Sequence, residues 1–165
     1  MTYPVFIRIG LLTMLLSACN SYDFTVNDRV VFSPKPLFTD YEIADGALSD
    51  CVEQAIADAH VTSAAQLAVL NCSHAGVVSL VGLGTFTGLS QLKLSANQIA
   101  DLSHLQPLSS LEELYLDNNQ VVDPSPLFEL LSLRVLDLTG NTGLRCPSSN
   151  ALLRVEETRL PRHCG

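Results

Sequence analysis

Leucine recurs every 22 residues from residue 67 onward. The first column of this pattern holds Leu67, Leu89, Leu111 and Leu133. The second column, three residues later, holds Leu70, Leu92, Leu114 and Leu136, and the third, two residues further on, holds Cys72, Leu94, Leu116 and Leu138. Eleven of these twelve residues are leucine, so chance does not explain the register. The alternation in each x-L-x-L-x stretch predicts one short strand per repeat.

Asparagine occupies the ninth column of the same register, at Asn97, Asn119 and Asn141. These residues follow the predicted strands, where the chain must turn away. An inward-pointing amide there can bond backbone groups of the turn that would otherwise be buried without partners. The 22-residue period therefore predicts a ladder of structural asparagines. In the third repeat, prolines in the segment 123–126 predict an extended convex side.

The pattern L-x-x-L-x-L-x-x-N-x-L resembles the leucine-rich repeat, and its 22-residue length is similar to the class typified by internalins. The resemblance covers residues 67–146, about half of the chain. It implies an α/β fold, a short solenoid of about four repeats with a parallel β-sheet on its concave face and a cap at each end. Two departures fit terminal repeats: Ala75 replaces asparagine in the first unit, and the fourth unit loses the pattern after Asn141.

The segment before the repeats predicts a helical N-terminal cap within residues 46–66. Apolar residues at 48, 52, 55, 56 and 59 follow the helical spacing, and Asp45 or Ser49 is suited to cap the helix. Residues 147–165 are predicted to form the C-terminal cap. Residues 19–45 contain Ser33-Pro34-Lys35-Pro36, which is incompatible with helix, and we interpret them as a tether and partial cover of the domain. A recognition peptide is the alternative for this segment.

Residues 1–18 have the layout of a signal peptide, with Arg8, a short apolar run and then small residues. A buried N-terminal strand is the alternative. The residues Leu16-Ser17-Ala18-Cys19 resemble the lipobox of bacterial lipoproteins. The resemblance implies cleavage before Cys19, acylation of its thiol and attachment to a membrane through the lipid.

The remaining four cysteines are Cys51, Cys72, Cys146 and Cys164. Three repeat steps of about 4.8 Å would separate Cys72 from Cys146 by about 14 Å, which is too far for a disulfide. A Cys51–Cys164 bridge would join opposite ends of the solenoid. The predicted pairs are therefore Cys51–Cys72 and Cys146–Cys164, with an unpaired, buried Cys72 as the alternative.

Two disulfides indicate an oxidising compartment, which favours a periplasm. In lipoproteins of bacteria with two membranes, an Asp after the lipidated cysteine commonly retains the protein in the inner membrane. Residue 20 is Asn. The expected location is therefore the bacterial cell envelope, with the outer membrane favoured.

Composition excludes several classes of function. Acidic residues outnumber Lys and Arg 17 to 9, which argues against nucleic-acid binding. The four histidines, at 60, 74, 104 and 163, show no metal-ligand spacing, and the chain has no phosphate-binding loop or nucleophile elbow. We therefore expect no enzyme activity, catalytic residue, metal or cofactor.

The residues between the strand leucines predict the concave surface. Its candidate binding face comprises Gln91, Lys93, Glu113, Tyr115, Asp117 and Asp137. Tyr115 is the only aromatic residue among them and a plausible anchor for a partner. We therefore expect an envelope lipoprotein that binds a protein or a surface polymer. The alternative is a structural envelope lipoprotein with no dedicated ligand.

Overall fold

The computed structural model describes residues 24–26, 29–32, 38–148 and 150–165. The predicted signal peptide, Cys19 and most of the tether lie outside these residues. The chain divides into two compact units, Met1–Pro34 and Lys35–Gly165. The first contains an antiparallel pair of strands, β1 (Phe24–Val26) and β2 (Arg29–Phe32). None of the helices in the described ranges is long and apolar enough to cross a membrane.

The N-terminal cap belongs to the second unit, and its helix α1 spans Gly46–Asp58. Leu48, Val52 and Ile56 form its buried stripe because they are spaced four residues apart. Asp45 caps the helix, and its Oδ1 accepts a hydrogen bond from the backbone N–H of Leu48 (3.0 Å). The helix is therefore present, and Asp45, rather than the alternative Ser49, is its N-cap.

Asp45 also joins the cap to the first repeat. Its Oδ2 accepts hydrogen bonds from the backbone N–H groups of Val78 (2.9 Å) and Ser79 (3.0 Å). Partial burial opposes the charged form, but these bonds and those from the start of α1 hold the pKa of Asp45 below its ordinary value. One carboxylate thus caps a helix and bonds a turn 33 residues away.

Five parallel strands form the sheet of the solenoid, in the order in which they occur along the chain. They are β3 (Val69–Asn71), β4 (Gln91–Lys93), β5 (Glu113–Tyr115), β6 (Val135–Asp137) and β7 (Glu157–Arg159). Each strand pairs with the next in a 22-residue register, so that Leu70, Leu92, Leu114 and Leu136 lie side by side. All four are fully buried. The leucine columns therefore form one continuous core, which no single repeat could bury alone.

Strand β7 lies in the predicted C-terminal cap and adds a fifth step to the four expected repeats. Thr158 pairs with Leu136, which preserves the 22-residue interval. At the same interval, Val155, Leu160 and His163 follow Leu133, Leu138 and Asn141. The fifth unit is degenerate because polar residues replace the leucine and the asparagine, which is why the leucine pattern did not reveal it.

Short 3-10 helices form the opposite, convex side of the repeats. They span Ala64–Gln66, Leu83–Thr85, Ser103–Leu105 and Ser125–Glu129. A further 3-10 helix, Arg162–Cys164, lies in the loop after β7. The extended conformation predicted for residues 123–126 is wrong from Pro124 onward, because Pro124 has helical dihedral angles and the 3-10 helix begins at Ser125. Pro126 is tolerated there because the N–H groups at the start of a helix need no partner within it.

The described part of the predicted tether packs on the repeats. Phe38 and Tyr41 contact the fully buried Phe86, with ring centroids 6.3 Å and 5.2 Å from it. Gly82 has a φ of +95°, and a Cβ there would collide with the backbone carbonyl of Glu42. The absence of a side chain at Gly82 thus lets the covering segment approach the first repeat closely.

The asparagine ladder bonds successive repeats. The Nδ2 of Asn119 donates to the carbonyl of Leu94 (2.9 Å) in the preceding repeat and to that of Leu116 (3.0 Å) in its own. Its Oδ1 accepts from the backbone N–H of Ile99 (3.0 Å). Asn97 and Asn141 make equivalent bonds, and all three side chains are buried.

Replacing Asn119 by Ala should destabilise the domain by about 3 kcal/mol, since buried backbone groups of two repeats would lose their partners. The matched control is Gln120→Ala at the adjacent, exposed position, which should change stability by less than about 0.5 kcal/mol. Urea unfolding of both variants measures the difference. Equal stability of the two variants would contradict the structural role of the ladder.

Candidate functional site

The concave face consists of two columns of outward side chains, each with one residue from every strand of the sheet. The first column is Val69, Gln91, Glu113, Val135 and Glu157. The second is Asn71, Lys93, Tyr115, Asp137 and Arg159. Because neighbouring strands in a sheet lie about 4.8 Å apart, successive side chains in a column are in contact range. The 22-residue register thus determines which groups meet on this face.

Tyr115 lies at the centre of the face and is held by its neighbours. Its hydroxyl donates to Oε2 of Glu113 (3.1 Å), which also accepts from Nε2 of Gln91 (2.5 Å). The ammonium group of Lys93 lies 5.4 Å from the centroid of the Tyr115 ring, within the range of a cation–π contact. Four of the six predicted face residues therefore form one connected cluster.

The environment keeps the Tyr115 phenol protonated. Partial burial, the hydrogen bond to Glu113 and the negative charge of Glu113 raise the pKa of Tyr115 above its ordinary value. The more distant Arg159 acts in the opposite direction and does not reverse the shift. The hydroxyl therefore stays a hydrogen-bond donor throughout the physiological pH range.

Asp137 is buried, whereas the sequence predicts an exposed side chain on the concave face. The residue is only 8% exposed. Its Oδ1 accepts from the backbone N–H (2.9 Å) and the hydroxyl (2.7 Å) of Thr139, and its Oδ2 lies 3.5 Å from a guanidinium nitrogen of Arg159. Asp137 therefore holds the end of its own strand and positions Arg159.

Arg159, which lies within the segment 147–165 predicted as the C-terminal cap, is also a residue of the concave face. It pairs with Glu157 (2.5 Å) as well as with Asp137, and the two carboxylates, Glu157 foremost, raise its pKa above the ordinary value. Only the position of Arg159 22 residues after Asp137 could have indicated its place on the sheet.

Asp117 follows the last residue of β5 by two positions. Its backbone carbonyl accepts from the N–H of Ala96 (2.8 Å) in the preceding repeat, so the ladder of bonds between repeats continues to this residue. Its carboxylate accepts hydrogen bonds from the hydroxyl of Ser95 and from Nδ2 of Asn118 (2.8 Å). Each bond occupies one carboxylate oxygen, and the bond from Ser95 joins two neighbouring repeats.

The two disulfides join the pairs that the repeat geometry predicts. Cys51 and Cys72 bridge α1 to the first repeat, with Cα atoms 5.8 Å apart, and Cys72 is buried. Cys146 and Cys164 bridge the last repeats, with Cα atoms 5.2 Å apart. At this second bridge a ring nitrogen of His163 and both sulfur atoms lie within 4.8 Å of one another.

A shallow cleft of about 480 Å³ lies beside this second bridge. It is lined by the loops that follow β6 and β7, through Thr139, Gly140, Thr142 and residues 160–163. The cleft continues from the carboxyl end of the sheet and is therefore next to the concave face.

Comparisons with known proteins show the same architecture. An internalin (inlF) from Listeria monocytogenes is 25% identical with a TM-score of 0.61, over 73% of this chain and 37% of that one. The chain is a leucine-rich repeat solenoid. Internalin C2 from Listeria monocytogenes is 28% identical with a TM-score of 0.45, over 50% of this chain and 37% of that one. The solenoid thus matches little more than a third of either neighbour. No family model and no curated protein matches the chain.

Replacing Glu113 by Gln should lower the pKa of Tyr115 toward its ordinary value, because the variant removes a negative charge that opposes phenol ionisation. An ultraviolet pH titration, with Tyr115→Phe subtracted to isolate this phenol from the other tyrosines, measures the shift. Glu112→Gln is the matched control, since Glu112 is exposed and makes no contact with the phenol among the described residues. An unchanged titration in Glu113→Gln would show that the Tyr115–Glu113 contact does not persist in solution.

Proposed function

We propose that this protein is a lipid-anchored envelope lipoprotein whose leucine-rich repeat domain binds another protein or a surface polymer through the concave face. The similarity to an internalin solenoid supports a binding domain rather than an enzyme. The lipobox-like sequence at residues 16–19 supports the anchor, and Asn20 after it favours the outer membrane.

The observation that carries the binding proposal is the ordered cluster around Tyr115. Tyrosine and arginine are among the residue types enriched at the centres of protein interfaces, and this face presents Tyr115 on β5 and Arg159 on β7 of one sheet. Both side chains are held by neighbouring carboxylates before a partner arrives. Binding therefore loses less side-chain entropy than it would on a face of free side chains.

The area of the face limits the contact. The strands present ten outward side chains, whereas a standard protein interface uses about 20–30 residues on each side. A stable partner must therefore also contact the rim or a cap. The rim loops beside the cleft are suited to this, since they adjoin the carboxyl end of the sheet and include the exposed Arg162.

The second candidate is a structural envelope lipoprotein with no dedicated ligand. The hydrogen bonding of the face favours it, because Gln91, Glu113 and Tyr115 satisfy one another and so do Asp137, Arg159 and Glu157. A polar face that is internally satisfied is stable in water without a partner.

A photo-crosslinking side chain at Val69, which is 54% exposed in β3, tests the concave face in intact cells. We expect one reproducible crosslinked species, which should decrease at least tenfold when Tyr115→Ala is added. The same probe at the exposed, convex residue Gln106 is the matched control and should capture nothing comparable. Equal capture from both positions, or none from Val69, would favour the structural candidate.

Cys19→Ser tests the anchor independently of binding. The variant should lose fatty-acid labelling and move from the membrane to the soluble fraction, because serine cannot form the thioether to the lipid. Asn20→Asp is the matched variant, which should keep the label and move toward the inner membrane. Membrane retention of unlabelled Cys19→Ser protein would refute the lipid anchor.

A further inference from the structure

We propose that the Cys146–Cys164 bridge is a redox-gated metal site, which binds Zn²⁺ through two thiolates and His163 after the disulfide is reduced. Both sulfur atoms and a ring nitrogen of His163 already lie within 4.8 Å of one another. Two cysteines and one histidine are a zinc ligand set, with Zn–S distances of about 2.3 Å and Zn–N distances of about 2.0–2.1 Å. The proposal does not depend on the proposed binding function.

The orientation of His163 supports a ligand role. Its Nε2 lies 2.9 Å from the carbonyl oxygen of Leu144. A carbonyl only accepts, so Nε2 carries the proton and Nδ1 keeps the lone pair that a metal requires. Histidines that bind metals commonly donate their other N–H to a carbonyl in this way, which fixes the ring and its tautomer.

The surroundings allow both reduction and metal entry. Cys146 and His163 are exposed and Cys164 is partly exposed, so a reductant can reach the bridge. The adjoining cleft leaves space for water as a fourth ligand, as zinc sites with three protein ligands require.

The first disulfide lacks these features and serves as an internal comparison. Cys72 is 1% exposed, and no metal-ligating group of three includes Cys51 or Cys72 in the described ranges. Reduction should therefore be faster at Cys146–Cys164, and only that bridge should yield a metal site.

The chemistry balances with a dithiol as the reductant. The dithiol transfers two electrons and two protons to the bridge and becomes a disulfide, while Cys146 and Cys164 become thiols. Zinc then binds both sulfurs as thiolates, and the two thiol protons pass to solvent. The neutral imidazole of His163 contributes a lone pair and releases no proton.

Cobalt(II) titration of the full chain tests the site, with a phosphine reductant in place of the dithiol to avoid a competing metal ligand. Alkylation and mass spectrometry identify which bridge is reduced. We expect one Co²⁺ per reduced chain, with the thiolate charge-transfer and intense visible bands of a tetrahedral site, and displacement of Co²⁺ by Zn²⁺. The oxidised chain should show no such bands.

Two variants assign the ligands. Cys146→Ser/Cys164→Ser should abolish the bands, and bands that persist there would place the metal on other cysteines and overturn the proposal. His163→Ala should weaken binding by at least about tenfold. His104→Ala, at a partly exposed histidine on the convex side, is the matched control and should bind as the unaltered chain does.

Circular dichroism measures whether the chain unfolds when the disulfide is reduced. Recovery of the spectrum on adding Zn²⁺ would support the site, because metal binding then replaces the closure that the disulfide provided. A reduced chain that binds no stoichiometric Co²⁺, whether folded or unfolded, would refute it, as would equal affinities of His163→Ala and His104→Ala.

Discussion

The buried side-chain amide at the ninth position of each repeat bonds two repeats at once, and the order of the solenoid depends on it. Asn119 bonds Leu94 and Ile99 of one repeat and Leu116 of the next. Because these bonds are buried and directional, the strands and the turns after them must align from one repeat to the next. This alignment brings the leucines into one core and the outward residues into columns on the face.

Other groups replace the ladder where it ends. The first repeat has Ala75 in the asparagine position, and Asp45 of the N-terminal cap bonds the N–H groups of Val78 and Ser79, next to those of Gly76 and Val77 that bond Asn97. At the other end the corresponding position holds His163, which bonds Leu144. Each end also carries one disulfide. The covalent bridges thus lie at the ends of the solenoid, where fewer neighbouring repeats contribute to stability.

Sequence reasoning predicted the features that repeat and missed those that depend on a single local contact. The leucine columns, the asparagine ladder and the cysteine pairs follow from spacing alone. The fifth strand was not predicted because Thr158 replaces leucine in a terminal unit. The side chain there is partly exposed and need not be apolar. The burial of Asp137 was not predicted because it depends on contacts of its carboxylate with Thr139 and Arg159. Arg159 lies outside the repeats that the leucine pattern reveals. The grouping of Cys146 with His163 and Cys164 was not predicted because Cys146 lies far from the other two in sequence and only the fold brings it to them.

The C-terminal bridge and the concave face share a structural element, which links the two proposals physically. The Cys146–Cys164 bond closes a loop that contains the whole of β7, and β7 supplies Arg159 and Glu157 to the face. Closure of a loop of this length contributes about 3 kcal/mol by restricting the unfolded chain. Opening the bridge would therefore weaken the hold on β7 before it affects β4 or β5, whose neighbours on both sides are intact strands. A metal bound by Cys146, Cys164 and His163 would close the same loop again, and the state of the bridge would then determine how firmly Arg159 is held beside Asp137.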